Sequence, residues 1–419
     1  MSRLEQLIQE FCPNGVEYKT LGEIATDIYR GAGITREQVT EIGIPCVRYG
    51  EIYTTYGVWF EKCVSHTNEE FIASKKYFEH GDILFAITGE SVEDIAKSCS
   101  YVGYEKCLAG GDIVVLKHNE NPKYLAYALS TTEAQIQKSK GKVKSKVVHS
   151  SVPAIRAIKI PLPPLPVQSE IVRILDNFAE LTAELTAELT AELTARKKQY
   201  EYYRDLLLTF GDTDTIIAQT DRQTDRQTRI TNLHRAVKWF ENAEHKKLGD
   251  IATISRGMRV VRSQLDTEGT YPVFQNSMTP LGYYEKSNCS ANTTFIIAAG
   301  AAGEIGYSPV DFWAADDCYY LDCPETVNSR YVYYALLCQR LYISSRVRRA
   351  SVPRLGRSVV ENITIPVPPI EEQERIVSIL DRFDALCNDI TSGLPAEITA
   401  RQKQYEYYRD KLLSFKVVV

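Results

Sequence analysis

The chain has 419 residues, 44% apolar and 25% charged, with a net charge of −5. These totals exclude wholesale disorder and argue against a protein that coats nucleic acid by charge alone, which would be basic. At roughly 100–200 residues per domain they leave room for two to four domains, and no apolar run reaches the ~20 residues that span a bilayer, so no membrane partner is expected.

The opening MSRLEQLIQEF alternates charged and apolar residues and lacks the apolar core of a signal peptide. It predicts a short amphipathic helix on a cytoplasmic chain. Residues 17–26 read EYKTLGEIAT and lead into Arg30-Gly31. Residues 44–60, 83–87 and 111–117 are rich in β-branched and aromatic residues bounded by glycine, so strands are expected there. A helix is expected over Lys123–Lys138, and KSKGKVKSK follows with Lys138, Lys140, Lys142, Lys144 and Lys146. The Pro-rich strip at 161–166 is extended and ends this first domain.

Ile171, Leu175, Phe178, Leu181, Leu185, Leu189 and Leu193 then recur every three or four residues through AELTAELTAELTAEL at 179–193. Ala, Glu and Leu are strong helix formers, so an unbroken helix from Gln168 to Phe210 is expected, roughly 65 Å long. The polar QTDRQTDRQT at 219–228 reads as a disordered linker. Its Thr-Asp-Arg-Gln unit can be encoded as ACAG repeated, a tract prone to slippage.

The second half reopens with EHKKLGDIAT at 244–253 and Arg256-Gly257. Strands are expected at 270–276, 293–299 and 318–323, and a helix over Arg330–Arg340. Gly300, Gly303 and Gly306 read as a turn. Arg340, Arg346, Arg348, Arg349, Arg354 and Arg357 make the second basic run. After a Pro strip at 366–369, Leu386, Ile390, Leu394 and Ile398 match Leu181, Leu185, Leu189 and Leu193, so the two apolar stripes are expected to pack together. Ser392-Gly393-Leu394-Pro395 interrupts this second helix, and Pro395 is expected to start a new one. The ten cysteines are scattered; Cys318 and Cys323 are the closest pair, and no His completes a zinc-like set around them. Free, mostly buried thiols are expected, and no metal.

The halves match at their borders. IPLPPLPVQSEIVRILDNF (160–178) answers IPVPPIEEQERIVSILDRF (365–383), and QYEYYRDLLLTF (199–210) answers QYEYYRDKLLSF (404–415), both at an offset of 205 residues. Residues 38–150 and 264–350 look little alike. Shared segments perform one structural task twice; divergent segments of similar size perform one kind of task on different targets. The chain divides into a first domain (1–160), a shared helix (161–210), a linker (211–243), a second domain (244–365) and a second shared helix (366–415). This is an α+β protein with an internal pseudo-twofold repeat.

Two basic runs at comparable places point to phosphate contact on double-stranded DNA. Base edges need forked donors and amides. Arg30, Arg36, Arg48 and Tyr49 are candidates in the first half, and Arg256, Arg259, Gln275 and Asn276 in the second. No Asn/Asp-Pro-Pro-aromatic methyltransferase loop is present: Pro163-Pro164 and Pro368-Pro369 have Leu, Val or Ile beside them. No G-x-x-x-x-G-K-[S/T] loop appears either. A catalytic centre is therefore not expected. A stand-alone bivalent DNA-binding protein fits the same features; an interaction scaffold fits them less well.

The divergent halves, the doubled I-P-x-P-P…Q-x-x-I-V-x-I-L-D block, the TAEL repeat and the doubled QYEYYRD resemble the specificity subunits of type I restriction-modification systems. The resemblance covers nearly the whole chain. It implies two α/β target recognition domains, each reading half of a split DNA site, separated by two long antiparallel helices that bind two modification subunits. Restriction subunits complete the nuclease. S-adenosylmethionine, ATP and Mg belong to those partners, and no cofactor is expected in this chain. The resemblance gives Tyr200, Tyr203 and Arg204, with Tyr405, Tyr408 and Arg409, a role in docking the modification subunits or in closing the helix pair. TAEL becomes a ruler: one unit lengthens the helix by ~6 Å, at most about two base pairs.

Overall fold

The computed structural model describes residues 2–140, 148–208, 243–389 and 392–417. They form two compact units, Met1–Glu188 with Ile398–Val419, and Leu189–Glu397. Each unit contains one variable domain, the start of the helix that follows it, and the end of the other shared helix. The shared helices thus fall into both units. Each is divided between two cores.

In the first unit a helix at Arg3–Phe11 opens with a capping box between Ser2 and Glu5. Two five-stranded sheets follow. One runs Asp27–Arg30, Ile113–Lys117, Ile83–Ala86, Ser98–Tyr101, Trp59–Phe60, and the other Val39–Thr40, Ser65–Thr67, Ile44–Val47, Cys107–Ala109, Tyr77–Phe78. Ile83–Ala86 is buried throughout, which explains its unbroken apolar run. The stretch 44–60 is not all strand: Tyr49–Thr54 is a short helix. The helix expected over Lys123–Lys138 is two helices, Pro122–Leu129 and Thr132–Lys140.

The second unit has a four-stranded antiparallel sheet in the order Thr253–Arg256, Cys318–Asp322, Thr293–Ile297, Ile305–Ser308, and a three-stranded one of Gly282–Tyr284, Tyr271–Phe274 and Trp313–Ala314. Gly300 and Gly303, at φ +85° and +89°, turn the chain between Thr293–Ile297 and Ile305–Ser308. The helix expected over Arg330–Arg340 is present as Ser329–Cys338, and a second short helix, Arg340–Ser345, follows it.

The doubled borders close each domain. Tyr18 pairs with Pro161 in a two-stranded antiparallel ribbon, and Glu244 pairs with Val367 in its counterpart. A continuous helix then covers Leu165–Leu208, three residues earlier at its start than expected. Phe210 and the 219–228 repeat lie outside the described residues. The second shared helix is broken, with Ile370–Asn388 ending before Leu394–Leu412 begins and Pro395 in its first turn. Ile390 also lies outside the described residues.

The repeated motif is a joint between domain and helix. Gln168 and Gln373 are fully buried. The Oε1 of Gln168 accepts from Asn121 N at 3.0 Å while its Nε2 donates to Pro163 O at 2.7 Å. Gln373 does the same with Asn328 N at 2.8 Å and Pro368 O at 2.8 Å. Asn121 and Asn328 are themselves the N-caps of the domain helices. Asp176 receives Lys123 Nζ at 2.9 Å and the Tyr127 hydroxyl at 2.7 Å. Asp381 receives Arg330 Nε at 2.9 Å and the Tyr334 hydroxyl.

Within each unit, helix segments from the two shared blocks run antiparallel. In the first, Phe178 meets Tyr408 at 6.3 Å. In the second, Tyr203 stacks on Phe383 at 6.0 Å, and Leu193 and Leu207 pack on the core that contains Ile376, Leu380 and Cys387.

Candidate nucleic-acid interface

In the first unit, four of the sequence candidates line one groove of about 1100 Å³: Arg30, Arg36, Arg48 and Tyr49. Their environments differ. Arg30 ends the strand Asp27–Arg30, donates through Nε to Gly111 O and pairs with Asp112. Arg48 pairs with Glu51 at 3.1 Å, and that nearly buried carboxylate also accepts from the Ser65 hydroxyl at 2.7 Å. Tyr49 is exposed at the start of its helix. Arg36 is exposed, and among the described residues it makes no ion pair.

The basic run of the first unit is not uniform. Lys138 is 3% exposed. Its Nζ donates to Ser98 Oγ at 3.1 Å and Leu129 O at 2.8 Å. Burial pushes its pKa down to about 7. Lys138 is therefore not a phosphate contact; the break at Ser130-Thr131 restarts the helix with this residue facing the core. Lys140 is exposed at the helix end. Lys142, Lys144 and Lys146 lie outside the described residues.

In the second unit Arg346, Arg348, Arg349 and Arg354 are all exposed, and among the described residues none makes an ion pair. Arg348 and Arg354 face each other across a backbone bridge, Arg348 N to Arg354 O at 2.9 Å and the reverse at 3.1 Å. This hairpin is fastened to the sheet by Gly300 N to Pro353 O, 3.1 Å, and Leu355 N to Ala298 O, 2.8 Å. Ala301 N donates to Asn276 O at 2.9 Å, which brings the Gln275-Asn276 loop to the same rim. Asn276 is exposed and Gln275 half-buried. Arg346 lies over the Tyr342 ring at 5.0 Å. Arg357 is set apart, paired with Glu361 at 2.8 Å. Arg256 donates Nε to Asp316 O at 2.6 Å, and Arg259 is exposed.

The QYEYYRD blocks divide between packing and surface. Tyr200 is 7% exposed inside the second core, which takes it away from partner contact. The side chains of Arg204 and Arg409 are largely buried, each paired with the next residue, Asp205 and Asp410, at 2.7 Å. Tyr405 is half-buried. Tyr203 and Tyr408 are exposed at 36% and 43%, and so are the middle tyrosines, Tyr202 and Tyr407, at 44% and 60%. Each forms the same edge-on pair with its neighbour, 5.4 Å for Tyr202–Tyr203 and 5.3 Å for Tyr407–Tyr408. Sequence reading missed Tyr202, Tyr407, the two joint glutamines and Asp176/Asp381; their signal was identity at the 205-residue offset.

One joint used twice, carrying two unlike basic faces, defines a duplicated recognition protein. The chain matches the family model for the type I restriction modification DNA specificity domain over residues 13–195 and again over 241–400, and it belongs to that family as a specificity subunit. The EcoR124I/EcoR124II specificity subunit of Escherichia coli is 31% identical over 99% of this chain and 97% of its own length. The type I restriction enzyme MpnII specificity subunit of Mycoplasma pneumoniae is 33% identical over 52% of this chain and 62% of its own. Among solved structures, a chain from the structural basis of complex assembly and conformational transition of the type I R-M system aligns with a TM-score of 0.62 at 17% identity, covering 96% of this chain and 98% of that one. The HsdS subunit of Thermoanaerobacter tengcongensis gives 0.51 at 15% identity, with 96% of each chain covered. Among the described residues no helix is long and apolar enough to cross a membrane.

Proposed function

We propose that this chain reads a split DNA site, one half-site per unit, and performs no chemistry itself. The observation that carries this is the contrast within the repeat: the joints repeat the same buried glutamine, N-cap asparagine, aspartate and tyrosine, with Lys123 in one where Arg330 stands in the other, while the exposed faces differ. Phosphates are met by the Arg346–Arg354 hairpin and by Lys140 with the lysines that follow it. Bases are read by residues that differ between the units, Arg48 and Tyr49 in one and Gln275 and Asn276 in the other. Arg forks suit guanine and side-chain amides suit adenine.

The repeated tyrosine pairs, Tyr202–Tyr203 and Tyr407–Tyr408, supply one surface twice, which suits two copies of one modification subunit. Methyl transfer and cleavage, with S-adenosylmethionine, ATP and Mg, belong to the modification and restriction partners. The TAEL stretch sets the distance between half-sites. Genome-wide mapping of methylated adenine, with and without the gene, tests this reading. A bipartite motif that vanishes with the gene is expected; a motif set unchanged by deletion, in a strain with an active modification subunit, refutes it.

A further inference from the structure

A second doubled pattern lies inside the divergent stretches. Arg30-Gly31 is followed by Arg36 and Gln38, and Arg256-Gly257 by Arg262 and Gln264, so R-G-x-x-x-x-R-x-Q occurs once in each domain. The intervening residues, AGIT and MRVV, share no identical position.

Both copies adopt the same geometry. The first arginine ends a strand and donates Nε to a loop carbonyl, Gly111 O or Asp316 O. The glycine N–H donates to Ile113 O at 2.8 Å in one unit and to Cys318 O at 2.9 Å in the other. Only glycine fits at either place, because a Cβ would fall on the Gly110 or the Ala315 carbonyl oxygen. The next N–H donates to Ala109 O at 3.0 Å, or to Ala314 O at 2.9 Å. Each copy then ends in a 3-10 turn, Arg36–Gln38 or Arg262–Gln264. The glutamine Oε1 locks the turn by accepting from Thr35 N at 2.9 Å, or from Val261 N at 3.1 Å. On these turns Arg36 and Arg262 are exposed, and among the described residues neither makes an ion pair.

Two domains that read different half-sites need different base contacts. What their targets share is the phosphodiester chain. A constellation repeated in two otherwise unlike domains therefore fits the shared part of the target. We propose that this element is a DNA-backbone clamp present once in each unit. Arg36 and Arg262 each hold one phosphate, Gln38 and Gln264 fix the turns that carry them, and Arg30 and Arg256 anchor the element to the sheet. The guanidinium fork matches phosphate oxygens, and the pinned backbone lowers the cost of ordering it. In the first unit the clamp lies in the same groove as Arg48 and Tyr49. The assignment rests on the reading of this chain as a DNA-recognition subunit. It gives Arg36 a positioning role rather than the base-edge role expected from sequence, and adds Arg262.

The test uses the complex assembled with its modification subunit. Binding to a cognate and to a scrambled duplex is measured over a range of salt, and the methylated motif is mapped, for Arg36→Ala, Arg262→Ala and Arg36→Lys. Each alanine variant is expected to weaken both duplexes by the same factor. Each should also reduce the slope of log affinity against log salt by about 0.9, with the motif unchanged. Arg36→Lys is expected to keep the slope, since a phosphate accepts a point charge where bidentate base reading does not. Melting temperatures should stay put, because both side chains are exposed and, among the described residues, make no ion pair. A changed base in one half of the motif, a loss confined to the cognate duplex, or an unchanged slope overturns the clamp. Absence of salt-dependent DNA binding by the native complex overturns the DNA-recognition reading itself, and the clamp with it.

Discussion

The two domains agree most closely where each meets its helix and differ most where each is exposed. At the joints Gln168 and Gln373 bond the N-cap residue of a domain helix and a proline carbonyl, at distances within 0.2 Å of each other. On the exposed faces, a short helix with Tyr49 and Gly50 occupies one domain, and the Gln275-Asn276 loop beside an arginine hairpin occupies the other. A buried amide with every bond made tolerates little change, since each orphaned partner costs about 1–3 kcal/mol. An exposed rim carries no such penalty and is free to diverge. Duplication thus persists where packing is exacting and fades where the target decides.

Breaking a joint should have the largest effect on stability. Gln168→Leu leaves Asn121 N and Pro163 O without partners, and Gln373→Leu leaves Asn328 N and Pro368 O; each is expected to cost about 2–4 kcal/mol. Thermal unfolding should show a loss for both variants, the larger for Gln168→Leu, which also removes a 2.8 Å donor from the Glu120 carboxylate where Gln373→Leu removes only a 3.3 Å bond to Thr326 O. A loss in one alone would mean that the joints are not equivalent. On the exposed faces the effect should instead be on specificity. Asn276→Ala and Tyr49→Ala should each relax one position in one half of the motif, by about 1–3 kcal/mol of discrimination, and leave the other half intact. Methylation mapping reads this directly, and a change in both halves would refute independent reading.

Lys138 sharpens the comparison with a smaller effect of opposite sign. Its folded pKa of about 7 lies below the unfolded value of about 10.4. The unfolded chain therefore holds the extra proton between these values, and stability falls as pH drops through that window, levelling off below about 7. Lys138→Met should remove this slope and raise stability near pH 7 by about 2 kcal/mol, less than the full linkage effect because Ser98 and Leu129 lose a donor. A steeper pH dependence in the variant would contradict the burial account.

Much of this was legible in the sequence. The 205-residue repeat marked the joints, and the prolines marked where domains end and where the second helix restarts. The roles of Gln168 and Asp176 were not legible, because their partners, Asn121, Lys123 and Tyr127, lie about 50 residues away in sequence and meet them only in the fold. Lys138 misled because a lysine in a basic run looks solvated until the helix break at Ser130-Thr131 turns it inward. The helix Tyr49–Thr54 was hidden by β-prone neighbours, where tertiary context overrides propensity. Arg262 was written in the R-G-x-x-x-x-R-x-Q spacing, but four unrelated residues separate its fixed positions. The shared hydrogen bonds make the match visible.

The central claim is that each domain reads its own half-site on a common frame. The most direct measurement replaces Leu248–Ile363 with a second copy of Leu21–Ile158, cutting at the paired end strands, and maps adenine methylation. The account predicts a motif built from the first half-site on both sides of the spacer. A motif that keeps the original second half-site would contradict it.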